Sequence, residues 1–146
     1  MYQPAREVTS ATAGEQDYRT GRLHVTAVHL ERRPSGHAVC EVALQWHDGQ
    51  RVLGRADGLS SPQADLRLAA EATLRALRSF YGDASALALL GIKTLHAFDA
   101  SVVIACVGAN RDGKALRLLG CHLSDGDLLR SAVLAVLHAT NRVLAP

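Results

Sequence analysis

Two stretches of this sequence are alike, Ser61–Leu77 and Ser124–Thr140, and the second begins 63 residues after the first. At that offset, identical leucines and alanines occur at five positions: Leu66/Leu129, Ala69/Ala132, Ala72/Ala135, Leu74/Leu137 and Ala76/Ala139. Each stretch begins at a hydroxyl residue, carries apolar residues at helical spacing and follows several strand-like segments. An internal repeat of this kind predicts two similar units instead of one irregular domain.

The first unit reads as three strands and a helix. Apolar residues alternate from Ala38 to Trp46, which is typical of a strand. A capping serine and a proline at the first helical position predict a helix from Pro62 that ends at Gly82. The strands, joined by turns at residues 34–36 and 47–50, are predicted at Leu23–Arg32, Ala38–Trp46 and Arg51–Ala56.

The second unit has the same order, and the helix, capped by Ser124 or Asp125, is predicted to run to about Leu144. Its strands are predicted at Leu90–Phe98, Ser101–Ala109 and Ala115–His122. We therefore predict an α+β fold of duplicated βββα units, in which antiparallel meanders carry two helices packed on one side. Residues 22–146 form one domain with repeats at 22–82 and 88–146, and residues 1–21 are predicted to be a disordered tail.

Composition fits a single globular domain, since the chain has 146 residues, 48% hydrophobic and 21% charged. We expect a cytoplasmic location because the sequence shows no apolar run of the length that a signal peptide or a membrane span needs. The three cysteines, Cys40, Cys106 and Cys121, lie in strand-like segments without CxxC spacing and are expected to be buried, reduced thiols.

One strand differs from the others, because residues 102–107 are apolar on both faces. A strand with one solvated face would alternate, as Ala38–Trp46 does. Something must therefore cover the second face, and a large uncovered apolar patch usually marks a partner surface. We expect a homodimer whose interface includes Val103, Ala105 and Val107.

Several motifs of the second unit match a known family: Asp99-Ala100 between two strands, Gly120 in the third strand, Asp127-Leu128-Leu129 at the helix start and residues 135–142, which end in Asn141-Arg142. In these residues the second unit resembles the C-terminal regulatory domain of isopropylmalate synthase and citramalate synthase. The first unit resembles the family more weakly, because Gly58-Leu59-Ser60-Ser61-Pro62 replaces its glycine-rich turn. The resemblance implies dimerisation and allosteric binding of a small branched amino acid, without the catalytic barrel of the synthase.

A ligand of this kind would be held at the two helix starts, where free N–H groups suit a carboxylate. Ordinary helix capping explains the same residues, and both interpretations stay open. The candidate ligand-binding residues are Gly58, Ser60, Ser61, Asp99, Ala100, Gly120, Ser124, Asp125, Gly126 and Asp127.

Other chemistries have weaker support. The seven histidines form no HxxxH pair, and no nucleophile elbow, phosphate loop or dinucleotide motif is present, so we expect neither an enzyme nor a metal or other cofactor. The function predicted from sequence is a non-catalytic dimeric regulatory module that binds a small carboxylate metabolite or a protein partner. The alternative is nucleic-acid binding through Arg67, Arg75 and Arg78 on the first helix.

Overall fold

The structure, a computed structural model, describes residues 23–82 and 86–144, except for the side chain of Arg142. Within these residues, three strands and a helix occur twice in succession, which confirms the predicted α+β fold of duplicated βββα units. The elements are β1 (His24–Arg32), β2 (His37–Gln45), β3 (Arg51–Leu59), α1 (Pro62–Tyr81), β4 (Ala88–Ala97), β5 (Ala100–Arg111), β6 (Lys114–Leu123) and α2 (Leu128–Leu144). The predicted tail, residues 1–21, lies outside the described residues.

Each unit forms its own antiparallel sheet, ordered β1-β2-β3 and β4-β5-β6. The first strand of each sheet has an irregularity at the corresponding place, between Val25 and Ala27 in β1 and between Leu89 and Gly91 in β4. Strand β3 extends past the predicted end at Ala56, because its last residues continue to pair with the start of β2. The duplication therefore extends to the register of the strands.

Both helices pack on the same side of the sheets and share one apolar core. Helix α1 contacts β2, β3 and also β4, whereas α2 contacts β5, β6 and β1, and the two helices contact each other. Leu74 and Val136 on the helices and Leu44 and Val107 on the sheets are fully buried. Each helix thus spans part of both units, so neither unit buries its apolar surface alone.

A glycine in the last strand of each unit lies directly against the helix backbone. A Cβ atom added to Gly54 would overlap the carbonyl oxygen of Ala72 and come within 2.7 Å of the Ala76 nitrogen. A Cβ atom at Gly120 would overlap the backbone of Ala135 and Ala139 in the same way. These two glycines and the alanines opposite them set how closely each helix approaches its sheet.

We expect Gly120→Ala to lower the free energy of unfolding by about 3 kcal/mol or more, because the added methyl group meets backbone that cannot move aside. Gly91→Ala is the matched control, since a Cβ atom there meets nothing within 4 Å. Urea unfolding followed by circular dichroism measures both. Equal stability of the two variants would show that the close approach at Gly120 does not constrain the fold.

Candidate functional site

The start of α1 is closed by groups of the protein itself. Ser61 caps the helix by accepting a hydrogen bond from the Ala64 N–H at 3.0 Å. The Ser60 hydroxyl donates to one oxygen of Asp65 at 2.9 Å, and Arg32 donates to the other at 2.8 Å. Asp65 is only 2% exposed, so a buried carboxylate already lies in the first turn.

Asp65 therefore supplies the negative charge that a helix start favours. The Ser60 N–H is also occupied, since it donates to the Gly36 carbonyl at 2.8 Å. Ser60 and Ser61 serve the internal structure of this helix start, which agrees with the capping interpretation of these residues. Gly58 lies on β3 beside Leu68 of α1, away from this network.

The start of α2 is capped differently from the prediction. Asp127 accepts a hydrogen bond from the Arg130 N–H at 3.1 Å, and its carbonyl accepts one from the Ser131 N–H. The predicted caps, Ser124 and Asp125, lie outside the helix. Ser124 accepts from the Gly126 N–H at 3.1 Å, because Gly126, with a φ of 124°, turns the chain ahead of the helix.

Asp99 and Ala100 lie at the same end of the second sheet as the start of α2. Asp99 is in the β4–β5 hairpin turn with a φ of 58°, and Ala100 begins β5. The next residue, Ser101, accepts a hydrogen bond from the Ser124 N–H at 2.8 Å. The structure thus brings Asp99 and Ala100 towards residues 124–127 and places Gly58, Ser60 and Ser61 in the other unit.

Two sets of predicted residues belong to the core instead of a binding surface. Gly120 is buried against α2 and has no room for a ligand. Val103, Ala105 and Val107 are 0% exposed, because they point towards the helices. The predicted interface is therefore wrong at these three positions. Periodicity showed that both faces of β5 are apolar, but it could not show which face the helices cover.

The uncovered face of the second sheet is apolar. We call it the apolar face, and several of its leucines are large and exposed, with Leu119 60% and Leu123 58% exposed. By the strand register, it comprises Leu90, Leu95, Val102, Ile104, Cys106, Leu119, Cys121 and Leu123. Cys106 is half-buried and Cys121 is exposed on this face, so of the three predicted buried thiols only Cys40 is in the core. Burial, together with Asp65 and Glu41, raises the pKa of the Cys40 thiol to about 11.

The corresponding face of the first sheet carries charges at equivalent positions. Val39 of β2 lies between Glu31 and Asp57, whereas its counterpart, Val102 of β5, lies between Leu95 and Leu123.

Two residues further along the central strand, the same contrast between charged and apolar pairs occurs. Glu41 pairs with Arg55, with 3.9 Å between their charged atoms, whereas Ile104 pairs with Cys121. The same fold therefore presents one charged face and one apolar face.

A groove runs between β3 and α1 in the first unit. It has a volume of about 290 Å³, with small residues from the strand at its floor and charged side chains of the helix along its side. Its lining residues are Ala56, Asp57, Gly58, Leu59, Ala64, Arg67, Leu68, Glu71 and Arg75. Of the candidate ligand-binding residues, Gly58 lies here, and so do Arg67 and Arg75, which the sequence indicated for nucleic-acid contact. The remainder of this site depends on how strand and helix pack, which no local motif indicates.

Polar side chains occupy the equivalent place in the second unit. If Gly54 and Gly120 are aligned, and likewise the alanines opposite them, His122 replaces Ala56 and Ser131 replaces Leu68. The His122 Nδ1 and the Ser131 hydroxyl lie 3.1 Å apart. Ser131 is 1% exposed and His122 is half-buried. The groove is open in the first unit beside Ala56, where the second unit has the larger side chain of His122.

The arginines proposed for nucleic-acid contact are partly engaged. Arg75 donates to the Arg55 carbonyl at 2.8 Å, and Arg78 donates to the Leu87 carbonyl at 2.7 Å. Of the three, Arg67 alone has no hydrogen-bond or ion-pair partner in residues 23–82 and 86–144. Fewer arginines are therefore free to contact nucleic acid than the sequence indicated.

Comparison with protein-family models and with curated proteins of known function finds no match for this sequence. In the described part of the chain, no three His, Cys, Asp or Glu side chains are grouped so that they could hold a metal ion. Neither described helix is long and apolar enough to cross a membrane.

We expect the protein to lose stability, in part through His122, as the pH falls from just above the ordinary histidine pKa of about 6.5 towards the lower pKa of the folded state. Burial lowers the pKa of His122 from its ordinary value, Arg130 and His138 lower it further, and Asp125 opposes them. The unfolded chain, in which the histidine pKa is about 6.5, therefore binds more protons in this range than the folded chain. The free energy of unfolding decreases accordingly and levels off below the folded-state pKa.

His122→Gln should reduce this pH dependence, whereas His29→Gln, at an exposed position of the first sheet, serves as the control. Urea unfolding at a series of pH values measures the pH dependence of each variant. An unchanged pH slope in His122→Gln would contradict the role assigned to the buried imidazole.

Proposed function

We propose that this protein is a non-catalytic, homodimeric regulatory module, in which the second sheet joins two copies and the first unit provides the binding site. The observation that carries the proposal is the contrast between the two open faces. At equivalent positions the first sheet has Glu31, Glu41, Arg55 and Asp57, and the second has Leu95, Ile104, Cys121 and Leu123.

This contrast supports an interface because the two sheets share one backbone plan. The first sheet shows that the fold accepts charged residues at four of the positions where the second sheet has apolar ones. The leucines of the second sheet therefore have another reason, and a contiguous exposed apolar surface is the usual mark of a partner site. Exposed fractions of 40–60% at Leu90, Leu95, Leu119 and Leu123 leave much of this surface for a partner to cover.

A second copy of the chain is the partner that we propose. Soluble oligomers are mostly homo-oligomers, and two-fold dimers are the commonest form. Two apolar faces can pack as in a β-sandwich, with the sheets about 10 Å apart. The charged side chains that point to this side, Lys93 and Arg117, are exposed on the outer strands, where their long stems let the charges stay in water.

Binding of a small carboxylate metabolite or a protein partner is the second part of the proposal. The helix starts are occupied by internal capping groups, which leaves the groove between β3 and α1 as the better candidate. The resemblance of the second unit to the regulatory domain of isopropylmalate synthase supports a regulatory role. A ligand bound to the first unit would act allosterically if it changed the stability of the dimer.

We expect wild-type protein to be a dimer at about 50 μM and Leu119→Lys to be largely monomeric, because the lysine would bring a charge into a dehydrated apolar surface. Light scattering coupled to gel filtration gives the mass. Leu53→Lys is the matched control: Leu53 is 69% exposed and occupies the equivalent place on the first sheet, next to the glycine.

Both variants change an exposed leucine, so both should fold. A monomeric wild-type protein at this concentration would overturn the dimer proposal. A dimer that Leu53→Lys disrupts and Leu119→Lys leaves intact would place the interface on the first sheet instead.

A further inference from the structure

The outer edge of β3 faces the groove with backbone groups available for another strand. Arg55 lies opposite Glu41 in the sheet. Its carbonyl oxygen, however, accepts a hydrogen bond from the Arg75 side chain of α1, so the backbone polar groups of Arg55 point away from β2. Backbone direction alternates along an antiparallel strand. The N–H and C=O groups of Asp57 and Leu59 therefore point to the same open edge.

Helix α1 lines this edge with charges that alternate in sign. Arg67, Glu71 and Arg75 are four residues apart and all line the groove. The helix runs alongside β3, since Gly54 lies against Ala72 and Ala76 and Gly58 lies beside Leu68. Neither Arg67 nor Glu71 takes part in an ion pair within the described ranges.

The spacing of these charges matches that of an extended peptide. Four residues of an α-helix rise about 6 Å. Side chains on one face of a β-strand are two residues apart, which is about 6.6 Å. A strand lying against β3 would therefore present successive side chains of one face to Arg67, Glu71 and Arg75 in turn.

We propose that the groove binds an extended peptide of the pattern acidic-x-basic-x-acidic, which adds to β3 as a fourth strand. Backbone hydrogen bonds to the open edge hold the peptide, and its charged side chains pair with Arg67, Glu71 and Arg75. This inference rests on the binding part of the proposed function and identifies the partner as a protein segment. It does not depend on dimerisation.

The second unit has Arg130 at the position of Arg67 but lacks the other two charges, and so provides an internal comparison. Leu134 occupies the position of Glu71, and His138 occupies that of Arg75. The His138 Nδ1 lies 3.0 Å from the Cys121 nitrogen and 3.2 Å from its carbonyl oxygen. His122 fills the space that Ala56 leaves open, so peptide binding should be confined to the first unit.

The test uses fluorescein-labelled Ser-Thr-Glu-Thr-Lys-Thr-Glu-Thr-Ser and fluorescence anisotropy at low salt. The full chain should bind this peptide about tenfold more tightly than the charge-inverted Ser-Thr-Lys-Thr-Glu-Thr-Lys-Thr-Ser, since three exposed ion pairs each contribute a factor of a few. Glu71→Arg should reverse the preference at the centre and favour a peptide with glutamate at all three positions. Leu134→Arg, at the equivalent position of α2, is the matched control and should change neither affinity.

Strand addition has a further signature. The test uses two N-methylated versions of the peptide, one methylated at the odd residues and the other at the even residues. Each version lacks the N–H groups along one edge of the extended peptide. One version should lose binding and the other should retain it, because only one edge of the peptide faces β3.

Several results would overturn the proposal. These are no binding at about 1 mM peptide, equal loss in both methylated peptides, or an equal effect of Leu134→Arg. Full competition by free leucine or glycine would assign the groove to a small zwitterion instead. Repeating the titration with Leu119→Lys separates the peptide-binding proposal from the dimer proposal. Peptide binding should persist whether the protein is a monomer or a dimer.

Discussion

The contact between a helix backbone and a strand glycine is the constraint on which the rest of this structure depends. At Gly54 and at Gly120, the helix lies so close that no side chain fits between them. At each contact, the helix residues that face the glycine are alanines, and their small side chains keep the helix close to the sheet. Because the same contact occurs in both units, it shows which strand and helix positions of the first unit correspond to those of the second. Every comparison between the units follows from that alignment.

On this shared plan, the two units differ where the fold permits it. The open face of the sheet is charged in the first unit and apolar in the second. The space between the last strand and the helix is open beside Ala56 and filled by His122. Neither difference alters the contact between helix and glycine, since all of these side chains lie outside it. These differences are the basis of the proposed division into one unit for pairing and one for binding.

The start of α1 shows how a local pattern that suits a ligand can be occupied by groups of the protein itself. Hydroxyl and acidic residues at a helix start suit a carboxylate ligand and equally suit capping. In the first unit, Asp65 and Arg32 decide between these possibilities, because they bring a paired carboxylate into the first turn. Arg32 comes from β1, 33 residues earlier in the chain, so inspection of the helix start alone could not reveal it.

The sequence by itself determined the repeat, the order of elements, the cap at Ser61 and the helix end at Gly82, because these depend on local periodicity and on the backbone preferences of a few residues. It also showed that β5 is apolar on both faces. Only the tertiary structure decided that Val103, Ala105 and Val107 face the helices, that Gly120 packs against α2, and that Arg67, Glu71 and Arg75 line an open strand edge. Period-two alternation distinguishes the two faces of a strand but does not say which one a distant helix covers.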